Sequence, residues 1–160
     1  MGIGLEQVTR LALRDGEVET AHERAAEAVN VQERVGYTEG IIAALHPLGR
    51  ATLAADEAAA AAKHHRRALR LALTIGHAAA MCEALEDLAQ ASATADSDTA
   101  RSLRHLAEHH RIKRSLPRRS DDDAWANALR LQLGPADQRD QLVSSLEDAV
   151  RDVLQSTRWT

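Results

Sequence analysis

Residues 35–56 read VGYTEGIIAALHPLGRATLAAD, and residues 75–96, 40 positions later, read IGHAAAMCEALEDLAQASATAD. In this register Gly36 falls on Gly76 and Leu48 falls on Leu88, with identical alanines and leucines between them. A repeat of this length and period is typical of a helical array, in which one unit cannot bury its apolar face without a neighbour. The repeat therefore predicts an all-α fold of antiparallel helical hairpins, stacked as a right-handed superhelix (an α-α solenoid).

The composition agrees with a helical fold. Hydrophobic residues make up 44% of the 160 residues, yet aromatic residues make up only 2% and Phe is absent. The core must therefore consist mainly of Ala and Leu, whereas all-β folds rely on aromatic and β-branched residues. The single cysteine, Cys82, excludes an intrachain disulfide and suits the reducing cytosol. No apolar run approaches the ~20 residues of a membrane span, and no secretion signal is evident, so we expect a cytoplasmic protein.

Apolar residues at helical spacing divide the chain into a repeat region, residues 1–116, and a capping helix pair, residues 117–160. Within the repeat region we expect three hairpins, at about 3–36, 37–76 and 77–115. The second helices of the hairpins carry alanines at repeating positions, which are Ala21 and Ala28, Ala61 and Ala68, and Ala100 and Ala107.

Glycine and proline set the expected helix limits. Gly36 and Gly76 each follow the last apolar residue of a helix, Val35 or Ile75, and Gly is a preferred residue just beyond a helix end. Pro47 interrupts no apolar rhythm, so we expect a kink there and not a break.

The capping pair has its own boundary signals. Ser120 followed by Asp123 resembles a capping box, which favours a helix start. Gly134 and Pro135 end this helix, and a last apolar stripe runs from Leu142 to Leu154.

The repeats resemble the tetratricopeptide (TPR-like) units of large ATP-dependent LuxR-type and antibiotic-regulatory transcriptional regulators of actinobacteria. The stretches that carry the resemblance are LALRDGEVETAHERAAEAV (11–29) and ALHPLGRATLAADEAAAAAKHHRRALRLALTIGH (44–77). Residues 100–134 and SLEDAV (145–150) resemble the terminal segment of that family. The chain lacks a GxxxxGK[ST] phosphate loop, and no DNA-reading helix-turn-helix is apparent, so the resemblance implies neither ATP binding nor DNA binding. The chain is then an excerpt of a longer regulator or a small free-standing relative.

In TPR arrays the first helix of each unit lines the concave side. The resemblance therefore implies that a protein or peptide partner, or another domain of a parent regulator, contacts Arg10, His46, Arg50, Glu86 and Gln90. Apolar Leu5 and Val8 on the first helix also suggest pairing with a second copy, as a homodimer. A small-molecule inducer bound in an Ala-lined groove is the alternative function, although ligand pockets usually contain aromatic residues.

Other constellations give weaker signals. His105 and His109 lie four residues apart, a spacing that can hold zinc, but a polar helix face explains them more simply. The basic segments 63–70 and 111–119 suit a solvated or interdomain face better than nucleic acid, because aromatic residues for base stacking are nearly absent. Asp121–Asp123 read as helix capping, and Cys82 as a buried, inert thiol. We expect no enzyme, no cofactor, no metal, no membrane association and no direct contact with nucleic acid.

Overall fold

The computed structural model describes residues 2–118, 120–134 and 145–156. These residues form eight α-helices and no β-strand, which confirms the all-α class. The helices are α1 (Gly2–Arg14), α2 (Val18–Val35), α3 (Thr38–Ala54), α4 (Ala58–Ile75), α5 (Ala78–Ser92), α6 (Ser97–Lys113), α7 (Ser120–Leu133) and α8 (Leu146–Gln155). The predicted apolar residue Leu142 lies outside the described residues.

The repeat in sequence is also a repeat in helix termination. Gly36 and Gly76 adopt left-handed backbone conformations, with φ of 72° and 69°, directly after α2 and α4. The amide of each glycine and that of the next residue donate to carbonyls of the last helical turn. A left-handed φ is accessible to Gly at little cost, which explains why the helices end there. The end of α6 shows the same pattern of hydrogen bonds, but Ser115 occupies the left-handed position, with φ of 52°.

Alanine and leucine form the core, as the composition predicts. The repeating alanines of α2, α4 and α6 are all buried. Leu45 and Leu85 are equivalent in the repeat, and both are fully buried in one core cluster that extends from α2 to α8. Small side chains let helices approach closely, so the core needs few large residues.

Each helix from α1 to α5 packs against the next helix in the chain. In addition α1 contacts α3, and α3 contacts α5, so the first helices of successive hairpins lie side by side. The two remaining helices contact different helices of this group, because α7 touches α6 whereas α8 packs on α4. Consequently α3 and α5 are covered by neighbours on several sides.

Two apolar residues at helix ends are exposed, although they continue the apolar stripes of their helices. The helical period places Val35 and Ile75 on buried faces, but these side chains are 72% and 40% exposed. Each is the last residue of its helix. The two residues that follow each of them are exposed as well, Gly36 and Tyr37 after α2 and Gly76 and His77 after α4. Helical periodicity gives the correct side of a helix, but it does not show where the neighbouring helix stops covering that side.

Other expectations hold. The helix α3 continues from Thr38 to Ala54 through the buried Pro47 without a break, and the kink expected there stays a prediction. Likewise α7 begins at Ser120 and ends at Leu133, just before Gly134. Among the described helices, none is both long enough and apolar enough to cross a membrane.

Candidate functional site: a buried polar cluster between three helices

Five polar side chains meet inside the apolar core between α3, α4 and α5, and we call them the Asp87 cluster. Residues His46 and Arg50 lie one turn apart on α3, so they face the same side. Glu83 and Asp87 have the same spacing on α5, and His65 comes from the middle of α4. The side chains of His65 and Asp87 are fully buried. The cluster therefore joins the second hairpin to the third within a low-dielectric interior.

The Asp87 carboxylate is the centre of this cluster. Its Oδ2 atom lies 2.7 Å from Nδ1 of His46, at hydrogen-bond distance. Its Oδ1 atom accepts a hydrogen bond from Nε of Arg50 at 2.9 Å. The Nδ1 atom of His65 is 3.4 Å from Oδ2. Two cationic or hydrogen-bonding partners thus compensate the burial of the carboxylate, as a buried charge requires.

Glu83 closes the cluster at its outer edge. Its Oε2 atom is 3.8 Å from Nε2 of His46, and its Oε1 atom is 3.8 Å from Nη2 of Arg50. The Glu83 side chain is less deeply buried than that of Asp87. Two carboxylates against one guanidinium give the cluster a net negative charge when both imidazoles are neutral, so the site favours a proton or a cation.

His65 is held in place by the neighbouring backbone. A Cβ atom at Gly49 would overlap Cε1 of the His65 ring, so the imidazole packs directly on α3 at a position where only glycine fits. Neither ring nitrogen of His65 makes a hydrogen bond to a described residue. A buried polar group without a partner costs about 1–3 kcal/mol. His65 is therefore the unexplained member of the cluster.

The cluster shifts the pKa values of its members in different directions. Burial would lower the pKa of His46, but the Glu83 charge and the Asp87 hydrogen bond outweigh it, so the pKa lies above its ordinary value. Burial lowers the pKa of His65 to about 4, which leaves this imidazole neutral at pH 7. Burial would raise the pKa of Asp87, but the Arg50 charge and the histidines hold it well below its usual range. The carboxylate is therefore ionised and the His65 ring is a free base.

A second buried charge cluster lies between α5 and α6. The Glu86 carboxylate accepts two hydrogen bonds from Arg111, both at 2.9 Å, and further bonds from Arg118 at 2.8 and 3.0 Å. Arg111 also donates to the carbonyl of Pro117 at 3.0 Å, which fastens residues 114–118 to the helices. A neighbouring cavity of about 140 Å³ is lined by Glu86, Arg104, Glu108, Arg118, Ala126, Asn127, Leu129 and Arg130.

The structure separates the five residues predicted to contact a partner. Arg10, Arg50 and Gln90 are partly exposed on α1, α3 and α5. By contrast His46 and Glu86 are only 3% and 4% exposed, because α3 and α5 are covered by several helices. Of the five, the structure brings His46 and Arg50 together, through Asp87. The role of all five in partner binding stays a prediction.

The basic segments are also less solvated than expected. In residues 63–70, His65 is buried, Arg67 pairs with Glu33, and Arg66 donates to the carbonyl of Leu154 at 2.7 Å. In residues 111–119, Arg111 is buried and Arg114 pairs with Glu147 at 3.0 Å. Much of the basic charge in these two segments therefore joins helices of this chain to one another.

The other histidine pair, His105 and His109 on α6, and Cys82 form no group of three potential metal ligands among the described residues. Cys82 is buried, as expected, and burial raises its pKa to about 11, so the thiol is un-ionised at neutral pH. The side chains of Asp121–Asp123 lie outside the described part of the chain.

Sequence reasoning misses Asp87 and underrates His65. Both are hidden because their partners come from other helices, and no local motif links positions 46, 65 and 87. One signal is available: at the repeat position of the buried Ala25, α4 has His65. A histidine in place of a core alanine indicates a polar contact inside the array.

Comparison with protein-family models, curated proteins and solved structures gives no match for this chain.

Proposed function

We propose that this chain is a TPR-like protein–protein interaction module, with its hairpins stacked as a right-handed α-α solenoid. The observation that carries the proposal is the contact of α1 with α3 and of α3 with α5, beside the sequential hairpin contacts. Equivalent alanines and leucines in successive units have equivalent burial, as stacking of like units requires. The proposed setting, supported by the sequence resemblance, is the regulatory or scaffolding part of a bacterial transcription regulator or a small free-standing relative.

The proposed binding surface is the row formed by α1, α3 and α5. Arg10, Arg50 and Gln90 occupy the same repeat position in the three helices, and each keeps some exposure to solvent. Partly exposed polar side chains on rigid helices suit recognition of a polar peptide or domain surface, because little ordering of the binding side is needed. The module acts by contact, and the proposal assigns no catalytic role.

A comparative capture experiment tests this proposal. The wild-type chain, an Arg10→Glu/Gln90→Glu variant of the proposed surface and an Arg70→Glu variant of the exposed face of α4 are immobilised and exposed to host lysate. The proposal expects a protein that is retained by the wild type and by Arg70→Glu but lost from the double variant. Binding of that purified protein must then weaken at least 10-fold in the double variant. Equal retention by all three proteins, or no specific retention, would contradict the proposed surface.

Self-association through α1 is a second candidate, and a specific observation favours it. Of the two residues that suggested pairing, Val8 is exposed, but Leu5 is partly buried against the core cluster. The exposed large apolar neighbour of Val8 is Leu11, three residues further along α1. A pair of this kind is a small apolar patch suited to the same patch on a second copy. We expect sedimentation equilibrium to show a homodimer that Leu11→Glu dissociates. Leu131→Glu, at another exposed apolar residue, is the control. A monomer at high concentration would exclude this candidate.

Two cavities lined by described residues differ from the pocket that the small-molecule alternative requires. Pockets for drug-sized ligands are usually ≈ 300–1,000 Å³ in volume and mostly apolar. The cavity beside Glu86 holds about 140 Å³ and is lined mainly by charged and polar side chains. A wider depression of about 770 Å³ lies open on the surface of α2, and its lining is again mainly charged and polar: Glu23, Ala26, Glu27, Asn30, Glu33 and Arg34.

A further inference from the structure

We propose that His46, His65 and Asp87 form a binding site for one divalent transition-metal ion, typified by Zn²⁺. One potential ligand atom from each residue lies within 4.8 Å of those of the other two, and all three residues are buried. They come from α3, α4 and α5, so an ion bound there would connect two hairpins of the array. The inference is independent of the proposed partner surface.

The separations between the ligand atoms suit a metal of this size. Zinc binds imidazole nitrogen and carboxylate oxygen at ≈ 2.0–2.2 Å, so two ligands of a tetrahedral ion stand roughly 3.4 Å apart. The 3.4 Å between Nδ1 of His65 and Oδ2 of Asp87 matches this separation. The 2.7 Å between Nδ1 of His46 and Oδ2 must open by roughly 0.7 Å when the ion replaces the shared proton. Either the Asp87 carboxylate or the His46 ring would have to move to open that distance.

The surrounding groups would orient these ligands. Metal-bound histidines usually donate their second ring N–H to a carboxylate or a carbonyl. Here Nε2 of His46 makes no hydrogen bond to a described residue, and Oε2 of Glu83, 3.8 Å away, is the carboxylate oxygen that would have to move closer to accept from it. Arg50 occupies Oδ1 of Asp87 and leaves Oδ2 directed at both histidines. The two carboxylates supply two negative charges beside the one positive charge of Arg50, so the electrostatic surroundings of the site favour a cation.

The state of His65 distinguishes a metal site from a purely structural polar cluster. A cluster held together by Asp87, His46 and Arg50 needs no second imidazole, yet His65 is fully buried and makes no hydrogen bond to a described residue. Coordination would give one of its nitrogens a partner. Two imidazoles with one carboxylate are the ligands that Zn²⁺ and its neighbours in the first transition row accept, whereas Ca²⁺ and Mg²⁺ require oxygen ligands.

Metal stoichiometry provides the direct test. Protein treated with a chelator is dialysed against Zn²⁺ and its metal content is measured by elemental analysis, with one ion expected per chain. Substitution by Co²⁺ is expected to give visible absorption bands of a low-coordinate nitrogen–oxygen site. The ring resonances of His46 and His65 in the wild-type NMR spectrum must shift on addition of Zn²⁺, which requires no variant.

Variants then assign the site. His65→Gln and Asp87→Asn remove one ligand each with little change in volume. Each is expected to weaken Zn²⁺ binding by more than about 100-fold, which exceeds the loss typical when a residue that only hydrogen-bonds to a ligand is replaced. His105→Gln/His109→Gln removes the other spaced histidine pair and should leave the binding unchanged. Circular dichroism establishes that each variant is folded; if Asp87→Asn unfolds, His65→Gln and the wild-type NMR shifts decide the result.

Three results would overturn the proposal. They are a wild-type protein that retains no stoichiometric metal, unchanged affinity in folded His65→Gln protein, and loss of the metal in the His105→Gln/His109→Gln variant. The last result would assign the ion to α6 instead.

Discussion

Replacing Glu86 by Gln tests how far the buried charges hold the array together. The change keeps the size of the side chain but removes the negative charge that faces Arg111 and Arg118. The Arg111 guanidinium would remain buried and keep its hydrogen bond to the carbonyl of Pro117, but it would lose the negative charge of Glu86. Arg118 is more exposed and can turn towards solvent. The main cost therefore arises at Arg111.

The expected loss follows from this geometry. Removing one partner of a buried ion pair costs about 3–5 kcal/mol, because the other charge stays buried without compensation. The introduced amide would keep one carbonyl oxygen for Arg111, so we expect about 3 kcal/mol, the lower end of that range. A domain of this size has about 5–15 kcal/mol of stability in total. The variant should still fold, with a Tm lowered by roughly 6–12 °C.

Urea denaturation followed by circular dichroism measures this loss. The matched control is Glu147→Gln, since Glu147 and Arg114 form an ion pair in which each side chain is about a third exposed, at 33% and 34%. That control should lose at most about 1 kcal/mol. A double-mutant cycle with Arg111→Met should show that the two changes together cost less than their sum. If Glu86→Gln costs no more than Glu147→Gln, the buried ion pair does not stabilise the array as argued.

Three further predictions concern the backbone and the single thiol. Gly49→Ala should destabilise the protein by about 1–3 kcal/mol in thermal unfolding, because the new Cβ would overlap the His65 ring. The control is Gly4→Ala, where the Cβ meets nothing within 4 Å, and this change should be neutral or stabilising. Equal effects of the two substitutions would refute the close packing of His65 on Gly49. Gly76→Ala should cost about 1 kcal/mol, because φ is 69° there, and an unchanged denaturation midpoint would contradict this. Burial raises the pKa of Cys82 from 9.0 to about 11, so the thiol of the unfolded chain ionises at a lower pH than that of the folded chain. The free energy of unfolding should therefore fall between pH 9 and 11, by up to about 1.4 kcal/mol per pH unit. Cys82→Ala should lack this component, and identical slopes for the two proteins would exclude it.

The helices can be predicted from the sequence because their signals are local. Apolar spacing, the glycines after α2 and α4, and Ser120 at the start of α7 each act within a few residues. The end of α6 near Ser115 is predictable although no glycine is present, since the apolar rhythm stops there. Such signals fix where a helix begins and ends, because the hydrogen bonds that close it are made within one turn.

The buried clusters cannot be predicted in the same way, because the usual rule for helix faces fails for an inner helix. A helix at the surface has one polar face in water. The resemblance to TPR arrays implies that Glu86 lies on such a groove-facing side, and it assigns no role to Asp87. The helix α5 contacts α3, α4 and α6, so these adjacent residues are buried against different neighbours. Which polar residue meets which partner depends on the relative placement of three helices, and a single sequence does not state that placement.

The differences between the repeats carry information that the similarities lack. Alanine and leucine recur at the same spacing in successive units. An apolar contact with the wrong unit would therefore resemble the contact with the correct one. Polar side chains break that equivalence: the position of buried Ala25 in α2 holds His65 in α4, and the Asp87 cluster and the Glu86 ion pair have different partners. A unit shifted along the array would leave these charges buried without compensation, which is far costlier than an exchanged methyl contact. In the proposed solenoid, the apolar repeat therefore favours stacking in general, and the buried polar residues select which surfaces stack.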